Sequence, residues 1–213
     1  MKAQRTALEA GARAMGLELS ALQSERLLAY GALILKWNKV YNLTALRDPP
    51  SVLTHHLLDS LSVIAPLARV RPGAASLLDV GSGAGLPGAV IAILRDDIVV
   101  SCLDAVAKKT AFVQQVAAEL QLPNLRGLHA RVESLEGRYD VISSRAFASL
   151  ADFFNGSAQL LVEQGVWLAM KGKVPTEEVT AAPAGVDVFH VEQLTVPGLD
   201  AERCIVWARQ RGK

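Results

Sequence analysis

Apolar positions divide the chain into two regimes. Through the first seventy or so residues they follow a helical period. Leu27, Tyr30, Ile34, Trp37 and Tyr41 recur at spacings of three and four, so they line one face of a helix. Ser20 precedes this stretch with Gln23 three residues later, the form of a capping box. The pattern breaks at Leu46-Arg47-Asp48-Pro49-Pro50. Leu57, Leu61 and Ile64 then predict a second, shorter helix ended by Pro66, and Pro72-Gly73 marks a turn.

From Ala75 the rhythm changes to short apolar runs separated by helical stretches. Strands are expected over 77–80, 98–103, 125–129, 140–143 and 165–170, with helices over 87–94, 107–120 and 150–161. Two further strands, near 186–194 and 203–208, have only the Pro197-Gly198 turn between them and predict a terminal antiparallel hairpin. Strand-helix alternation of this kind predicts an α/β fold with a mostly parallel, seven-stranded sheet and helices on both faces. Residues 1–72 are expected to form a helical extension packed on the core of a domain spanning 73–213, because no Gly/Ser-rich linker joins them.

Composition narrows the class only slightly. The chain has 213 residues, enough to bury a core without staples, and a formal net charge of +1. Near-neutrality neither requires nor excludes a nucleic-acid partner, since a basic face can sit on a neutral protein. Cys102 and Cys204 both lie in apolar stretches, which fits neither a disulfide framework nor a metal site. The first residues lack a signal-peptide core, and no run approaches the ~18 apolar residues of a membrane span. The expectation is a cytoplasmic protein, monomeric, without metal or membrane attachment.

Candidate chemistry begins where the first strand of the second regime ends. Gly81-Ser82-Gly83-Ala84-Gly85 lies at the edge where an open α/β sheet binds its ligands. Read at Gly83, Gly85 and Gly88, the loop fits G-x-G-x-x-G, a weak dinucleotide signal by itself. Asp79 discriminates. A carboxylate there repels a pyrophosphate and attracts the ammonium of a methionine moiety, directly or through water. Asp79-Val80-Gly81-Ser82-Gly83-Ala84-Gly85 resembles the first motif of class I, Rossmann-like methyltransferases, which use S-adenosylmethionine. Asp104, ending the second strand, suits the ribose hydroxyls of either cofactor, or stands as a solvated strand-end acid.

The acceptor is narrowed by elimination. Cytosine C5 chemistry needs a cysteine, usually behind a proline, yet Cys102 follows Ser101 and Cys204 follows Arg203. Exocyclic amines are often handled by an Asp/Asn-Pro-Pro-aromatic turn after the fourth strand, which here ends Ser143-Ser144-Arg145-Ala146-Phe147. Asp48-Pro49-Pro50 precedes the glycine loop, is followed by Ser51, and reads as a helix-breaking turn. Acceptors that need no deprotonation remain, guanine N7 among them. Arg145 either holds a base edge or phosphate or pairs with a carboxylate. Lys171, in Met170-Lys171-Gly172-Lys173, is a functional or an ordinary solvated lysine.

Several longer segments carry a resemblance to the RsmG family, also called GidB, the bacterial guanine-N7 methyltransferases of 16S ribosomal RNA. They are Trp37-Asn38-Lys39-Val40-Tyr41-Asn42-Leu43-Thr44, His55-His56-Leu57-Leu58-Asp59-Ser60-Leu61, Asp79 to Gly88, Leu103-Asp104-Ala105 with Lys108-Lys109, Arg131-Val132-Glu133, Ser144-Arg145-Ala146-Phe147-Ala148 and Met170-Lys171-Gly172. The resemblance implies S-adenosylmethionine held at Gly81 and Leu86, at Asp104 with Ala105, at Val132 with Glu133, and at Arg145; Gly83 and Asp79 join the cofactor candidates from the loop motif itself. The resemblance also implies one guanine of the decoding region, in 16S rRNA or the small subunit, as substrate; Arg145 and Lys171, at the ends of the fourth and fifth strands, are the catalytic candidates. Loss of the modification in the family accompanies low-level streptomycin resistance. Alanine follows Asp104 where the family often has serine, and the tail after residue 173 carries no matching motif.

The remaining motifs keep two readings. Asn42 and Thr44 tie the turn after the long helix or touch a ligand. His55 and His56 are adjacent, diverge on a helix and make a poor metal pair, so at least one is expected to be packed or hydrogen-bonded. Trp37 is a core anchor or a stacking platform. Lys36, Lys39, Arg47, Lys108, Lys109, Arg131, Arg145, Lys171 and Lys173 are candidates for an RNA surface.

Overall fold

The computed structural model describes residues 2–145, 147 and 149–212, so Ala146 and Ala148 of the Ser-Arg-Ala-Phe-Ala segment lie outside the described residues. The seven strands are β1 (Ser76–Val80), β2 (Val99–Asp104), β3 (Leu125–His129), β4 (Tyr139–Ser144), β5 (Leu161–Lys171), β6 (Val186–Leu194) and β7 (Arg203–Gln210). They form one sheet in the order β3-β2-β1-β4-β5-β7-β6. The first five run parallel, while β7 is antiparallel to both β5 and β6. The expected mostly parallel sheet with a terminal hairpin is what forms.

Strand geometry sends successive side chains to opposite faces, and both faces are apolar. Leu77, Val100, Val141, Leu168 and Ile205 enter one buried cluster, and Leu78, Leu103, Ile142, Trp167 and Val206 the other. The second cluster is covered by α8 (Leu150–Ser157), through Leu150, Phe153 and Phe154. The first takes α6 (Gly88–Leu94), α7 (Ala107–Glu119) and the whole N-terminal extension.

That extension begins with α1 (Lys2–Ala14) and α2 (Ala21–Tyr41). The capping box is present: the Gln23 N–H donates to Ser20 Oγ at 3.1 Å and the Ser20 N–H to Gln23 Oε1 at 2.9 Å. Asn42 ends α2 with φ of 49° and accepts from Arg47, while the Asn38 side chain holds the Thr44 N–H and the Leu46 carbonyl. These bonds tie the turn, the first of the two readings for Asn42 and Thr44. Asp48 then caps α3 (Pro49–Val52), so the Asp-Pro-Pro segment starts a helix and does not break one, α2 having already ended at Asn42. A wide π-helical stretch, Leu53–Leu58, runs into α4 (Asp59–Leu61) and α5 (Ile64–Val70). Pro66 does not end a helix, contrary to the sequence expectation. It sits in the first turn of α5, where its missing N–H costs nothing, and the helix continues to Val70.

The extension shares the sheet's core directly. Leu27, Tyr30, Ile34, Leu57 and Leu61 are buried with Leu77, Val100 and Phe112, and Trp37 packs on Phe112 with ring centroids 5.3 Å apart. Tyr30 also reaches the glycine loop, where its hydroxyl donates to the Ala84 carbonyl at 2.5 Å. Tyr30→Phe leaves that buried carbonyl unpaired and is expected to cost about 1–2 kcal/mol. Thermal unfolding should show a drop of roughly 2–8 °C, and an unchanged midpoint would contradict the role of this bond.

Candidate active site

The carboxyl ends of the five parallel strands open on one edge of the sheet, where open α/β sheets bind ligands. Val80 leads into Gly81, β2 ends at Asp104, Arg131 and Val132 follow β3, Arg145 follows β4, and Lys171 ends β5. Two clefts lie along this edge, on either side of the end of β4. The smaller, about 250 Å³, is lined by Val80, Gly81, Leu103, Asp104, Ala105, Arg131, Val132, Glu133 and Phe147. The larger, about 460 Å³, is lined by His55, His56, Asp59, Arg145, Met170, Lys171 and Arg203.

Glycines serve two purposes in the loop between β1 and α6. Gly81 and Gly83 have φ of 67° and 59°, and a Cβ on either would meet nothing within 4 Å, so their bare backbone faces open space. At Gly88 a Cβ would stand 2.5 Å from Cys102 Sγ and 3.0 Å from Asp79 Oδ2, so only glycine lets α6 close on the sheet.

Most of the loop's N–H groups are already engaged. Ser82 donates to the Leu103 carbonyl, Gly83 to Asp104 Oδ2, Gly85 and Leu86 to the Ser82 carbonyl, and Gly88 to Asp79 Oδ2, at 2.8–3.1 Å. Pro87 has no N–H. A diphosphate site needs such donors free at the helix start. The loop does not offer them, which counts against the dinucleotide reading.

Asp79 is fully buried beneath the loop, with Oδ2 on the Gly88 N–H and Oδ1 accepting the Ser143 hydroxyl at 2.9 Å. Of the two expected modes, direct contact with a ligand ammonium or attraction through water, this burial favours the indirect one. The carboxylate is a charge under the floor, set there to hold the loop. Burial lifts its pKa to about 6, against the Gly88 and Ser143 hydrogen bonds and the positive charge of Arg145. Leu86 also lies below the cleft, its side chain in the apolar core.

Asp104 is the acid that reaches the smaller cleft. Its Oδ2 holds the Gly83 N–H at 3.0 Å and Lys109 Nζ at 3.5 Å, and its Oδ1 the Val106 N–H at 2.9 Å. Ala105, beside it, is exposed. Val132 and Glu133 form a short 3-10 turn on the facing wall. A carboxylate acceptor among the apolar walls of Val80, Leu103, Val132 and Phe147 fits an adenosine, with the ribose diol on the acid and the base between the walls.

The larger cleft is organised by a carboxylate that sequence reasoning missed. Asp59 Oδ2 accepts from Arg145 Nη1 at 3.0 Å and Oδ1 from Arg203 Nε at 2.8 Å, with the Asp59 side chain only 2% exposed. Arg145 Nη1 also donates to the His55 carbonyl at 3.2 Å. The π-helical stretch supports this contact, because the Asp59 N–H goes to the His56 and Thr54 carbonyls instead. His56 lies 2.8 Å from Thr44 Oγ1, and burial, with Arg145 nearby, lowers its pKa to about 4, so the ring is neutral at pH 7. One of the two histidines is therefore packed and hydrogen-bonded, as expected.

Lys171 lines the same cleft but is occupied. Its Nζ donates to both Glu178 oxygens, at 3.2 and 3.0 Å, and to the Phe147 carbonyl at 3.5 Å. Glu178 also accepts the Leu150 N–H that begins α8. Lys171 thus ties the β4–α8 segment to β5 and is not the free, solvated lysine of the second reading. The signal for Asp59 was a lone carboxylate among Leu57, Leu58 and Leu61, which cannot stay buried without a cation. Arg203 had no such signal, because its partner is 144 residues away.

The raised pKa of Asp79 yields a signed prediction. Between about pH 4 and 6 the folded state holds this proton more tightly than the unfolded chain, so the group's contribution to stability falls as pH rises through that window. Relative to Asp79→Asn, the wild type should lose about 2 kcal/mol from pH 4 to pH 7 in urea titrations. A difference independent of pH would contradict the buried, ionising carboxylate.

Comparison with known proteins agrees with this geometry. The family model described as rRNA small subunit methyltransferase G, GidB, matches residues 23–206. The chain is 61% identical over 213 residues to a ribosomal RNA small subunit methyltransferase G of Acidovorax sp. (strain JS42), covering 95% of this chain and 94% of the relative. It is 58% identical to the protein of that name in Methylibium petroleiphilum, covering 99% and 96%. Two solved structures share the fold at low identity. TrmN from Thermus thermophilus has a TM-score of 0.58 at 16% identity, covering 75% of this chain and 53% of that one. The glycopeptide N-methyltransferase MtfA complexed with S-adenosylmethionine has a TM-score of 0.59 at 12% identity, covering 70% and 93%. A glycine loop with its donors turned inward, over a strand order shared with methyltransferases, is thus what this sequence builds, and the chain belongs to the GidB family of small-subunit rRNA methyltransferases.

Proposed function

We propose that this protein transfers a methyl group from S-adenosylmethionine to N7 of a specific guanine in the decoding region of 16S rRNA. The donor supplies a methyl group already activated on a positively charged sulfur. The smaller cleft holds its adenosine through Asp104, Ala105, Val132 and Glu133, with Gly81 and Gly83 giving bare backbone beside it and Asp79 supplying negative charge below. The larger cleft takes the guanine, as part of 16S rRNA or the small subunit. Residues 1–72 act as a wall of that cleft as much as a packed extension of the 73–213 domain. No helix among the described residues is long and apolar enough to cross a membrane. We take the enzyme to work in the cytoplasm as a monomer without a metal.

The observation that carries this reading is the Asp59-anchored Arg145 beside the adenosine cleft. His56, in the same cleft, is held neutral by burial and is bonded to Thr44. Guanine N7 presents a free lone pair, so it needs no deprotonation. Its O6 can accept from a guanidinium, which orients the base and leaves the N7 lone pair free to take the methyl group. Arg145 and Arg203 bring two positive charges to one buried negative one, so the cleft keeps a net positive charge for the base edge or its phosphate.

The test is transfer of labelled methyl from S-adenosylmethionine to 16S rRNA by the purified protein, with the product nucleotide identified by mass spectrometry. The expected product is 7-methylguanosine at one position. Arg145→Ala should reduce turnover by about 100-fold or more while the circular dichroism spectrum is kept, and near-normal turnover would remove Arg145 from the mechanism.

A further inference from the structure

The turn after α2 starts a chain of hydrogen bonds that ends on Arg145. Asn38, buried in the last turn of α2, takes the Thr44 N–H on its Oδ1 at 2.9 Å and gives its Nδ2 to the Leu46 carbonyl at 2.8 Å. Thr44 Oγ1 accepts the Leu46 N–H at 3.3 Å and lies 2.8 Å from His56 Nε2. His56 Nδ1 in turn lies 3.0 Å from the His55 carbonyl, the same oxygen that takes Arg145 Nη1 at 3.2 Å. Leu46, His55, His56 and Arg145 all line the larger cleft.

Backbone and proton positions give the chain a direction. In a regular α-helix the His55 carbonyl would take the N–H of Asp59, four residues on. The wide stretch Leu53–Leu58 diverts that N–H to the Thr54 and His56 carbonyls, and the His55 oxygen accepts side-chain donors in its place. A carbonyl only accepts, so the His56 nitrogen facing it, Nδ1, carries the ring's proton. Burial, with Arg145 nearby, holds the His56 pKa at about 4, so the ring is neutral and Nε2 is bare. Nε2 therefore accepts the Thr44 hydroxyl. Arg145 Nη1 spends one hydrogen on Asp59 and the other on the His55 carbonyl. One acceptor would let the guanidinium turn about the bond, whereas two on the same nitrogen fix its plane. Among the described residues, Arg145 Nε and Nη2 keep no partner, so they are what the side chain offers a substrate.

We propose that Thr44 and His56 are positioning residues for Arg145: Thr44 holds the imidazole, the imidazole holds the His55 carbonyl, and that carbonyl sets the plane in which the guanidinium meets the guanine. The inference rests on the rRNA methyltransferase reading and adds to it how Arg145 is oriented. It gives the Asn-Leu-Thr turn and the His-His pair a part in methyl transfer that needs no contact between Thr44 and the RNA.

The test uses the full-length protein, 16S rRNA and S-adenosylmethionine under single-turnover conditions. Thr44→Val, which removes the hydroxyl, should slow methyl transfer about 10-fold at saturating RNA and cofactor. The RNA concentration for half-maximal rate and the cofactor affinity by calorimetry should stay within about 2-fold of the wild type, which also reports that the variant folds. Thr44→Ser, which keeps the hydroxyl, should recover most of the rate. In the Arg145→Ala background the Thr44→Val change should cost less than about 2-fold, because the group it positions is gone. A second measurement needs no activity. Nitrogen NMR of the isotope-labelled protein at pH 7, with the His56 signals assigned against His56→Gln, should show Nδ1 protonated and Nε2 bare. A proton on His56 Nε2 would overturn the proposal, and so would a 10-fold loss that persists without Arg145. Absence of methyl transfer by the wild type defeats the proposed function, whereas transfer that Thr44→Val performs at the wild-type rate defeats only this inference.

Discussion

A single buried carboxylate sets the geometry of the substrate side. Asp59 comes from a short helix of the N-terminal extension, Arg145 from the end of a central strand, and Arg203 from the terminal hairpin. Burying an ionised carboxylate is costly unless it is paired and hydrogen-bonded, and the net stability gained by such a pair is small even when it is. What the arrangement secures is position. With one oxygen committed to each guanidinium, neither arginine can move without leaving a buried charge uncompensated, so three distant parts of the chain meet in one fixed relation. The extension is therefore a structural component of the cleft and shares its core, down to the Tyr30 hydroxyl that supports the glycine loop from behind.

A second carboxylate does for the cofactor side what Asp59 does for the substrate side, by different means. Asp79 has no arginine in hydrogen-bonding contact. It is held by an N–H from the start of α6 and a hydroxyl from β4, and burial, with the negative charge of Asp104 nearby, keeps it reluctant to ionise. A cation above the loop, such as the amino acid end of S-adenosylmethionine, favours the ionised form, so cofactor binding and the charge of Asp79 are linked in sign. The Gly88 bond also uses up an N–H at the helix start that a diphosphate would need. One residue thereby favours a cationic ligand and disfavours an anionic one.

Much of this was legible in the sequence because the signals are local. The 3.6 period of α2, its capping box, the strand-helix alternation and the glycine loop each depend on residues a few positions apart. Asp104, Val132, Glu133 and Arg145 line the sheet edge where strand ends placed them. The misses have a common cause in distance and in hydrogen bonding that no spacing encodes. Asp59 was visible only as an odd charge in an apolar helix, and Arg203 not at all. Lys171 looked like a free cation until Glu178, seven residues later, was folded back on it. Pro66 was read as a stop because a proline ends one helix and begins another equally well. Asp79 was correctly expected beside the glycine loop, yet its depth depends on the Gly88 contact that a motif does not show.

The most direct test of this account removes the charge of Asp59 and keeps its shape. In Asp59→Asn the two arginines lose their common anchor while Asp104, the glycine loop and the adenosine cleft are untouched. Calorimetry should find S-adenosylmethionine binding within about 2-fold of the wild type, and methylation of 16S rRNA should fall roughly 100-fold, the scale of a misplacement of about 1 Å at a reacting centre. Methylation at the wild-type rate with cofactor binding intact would show that the substrate cleft does not depend on the carboxylate, and the account would fail at its centre.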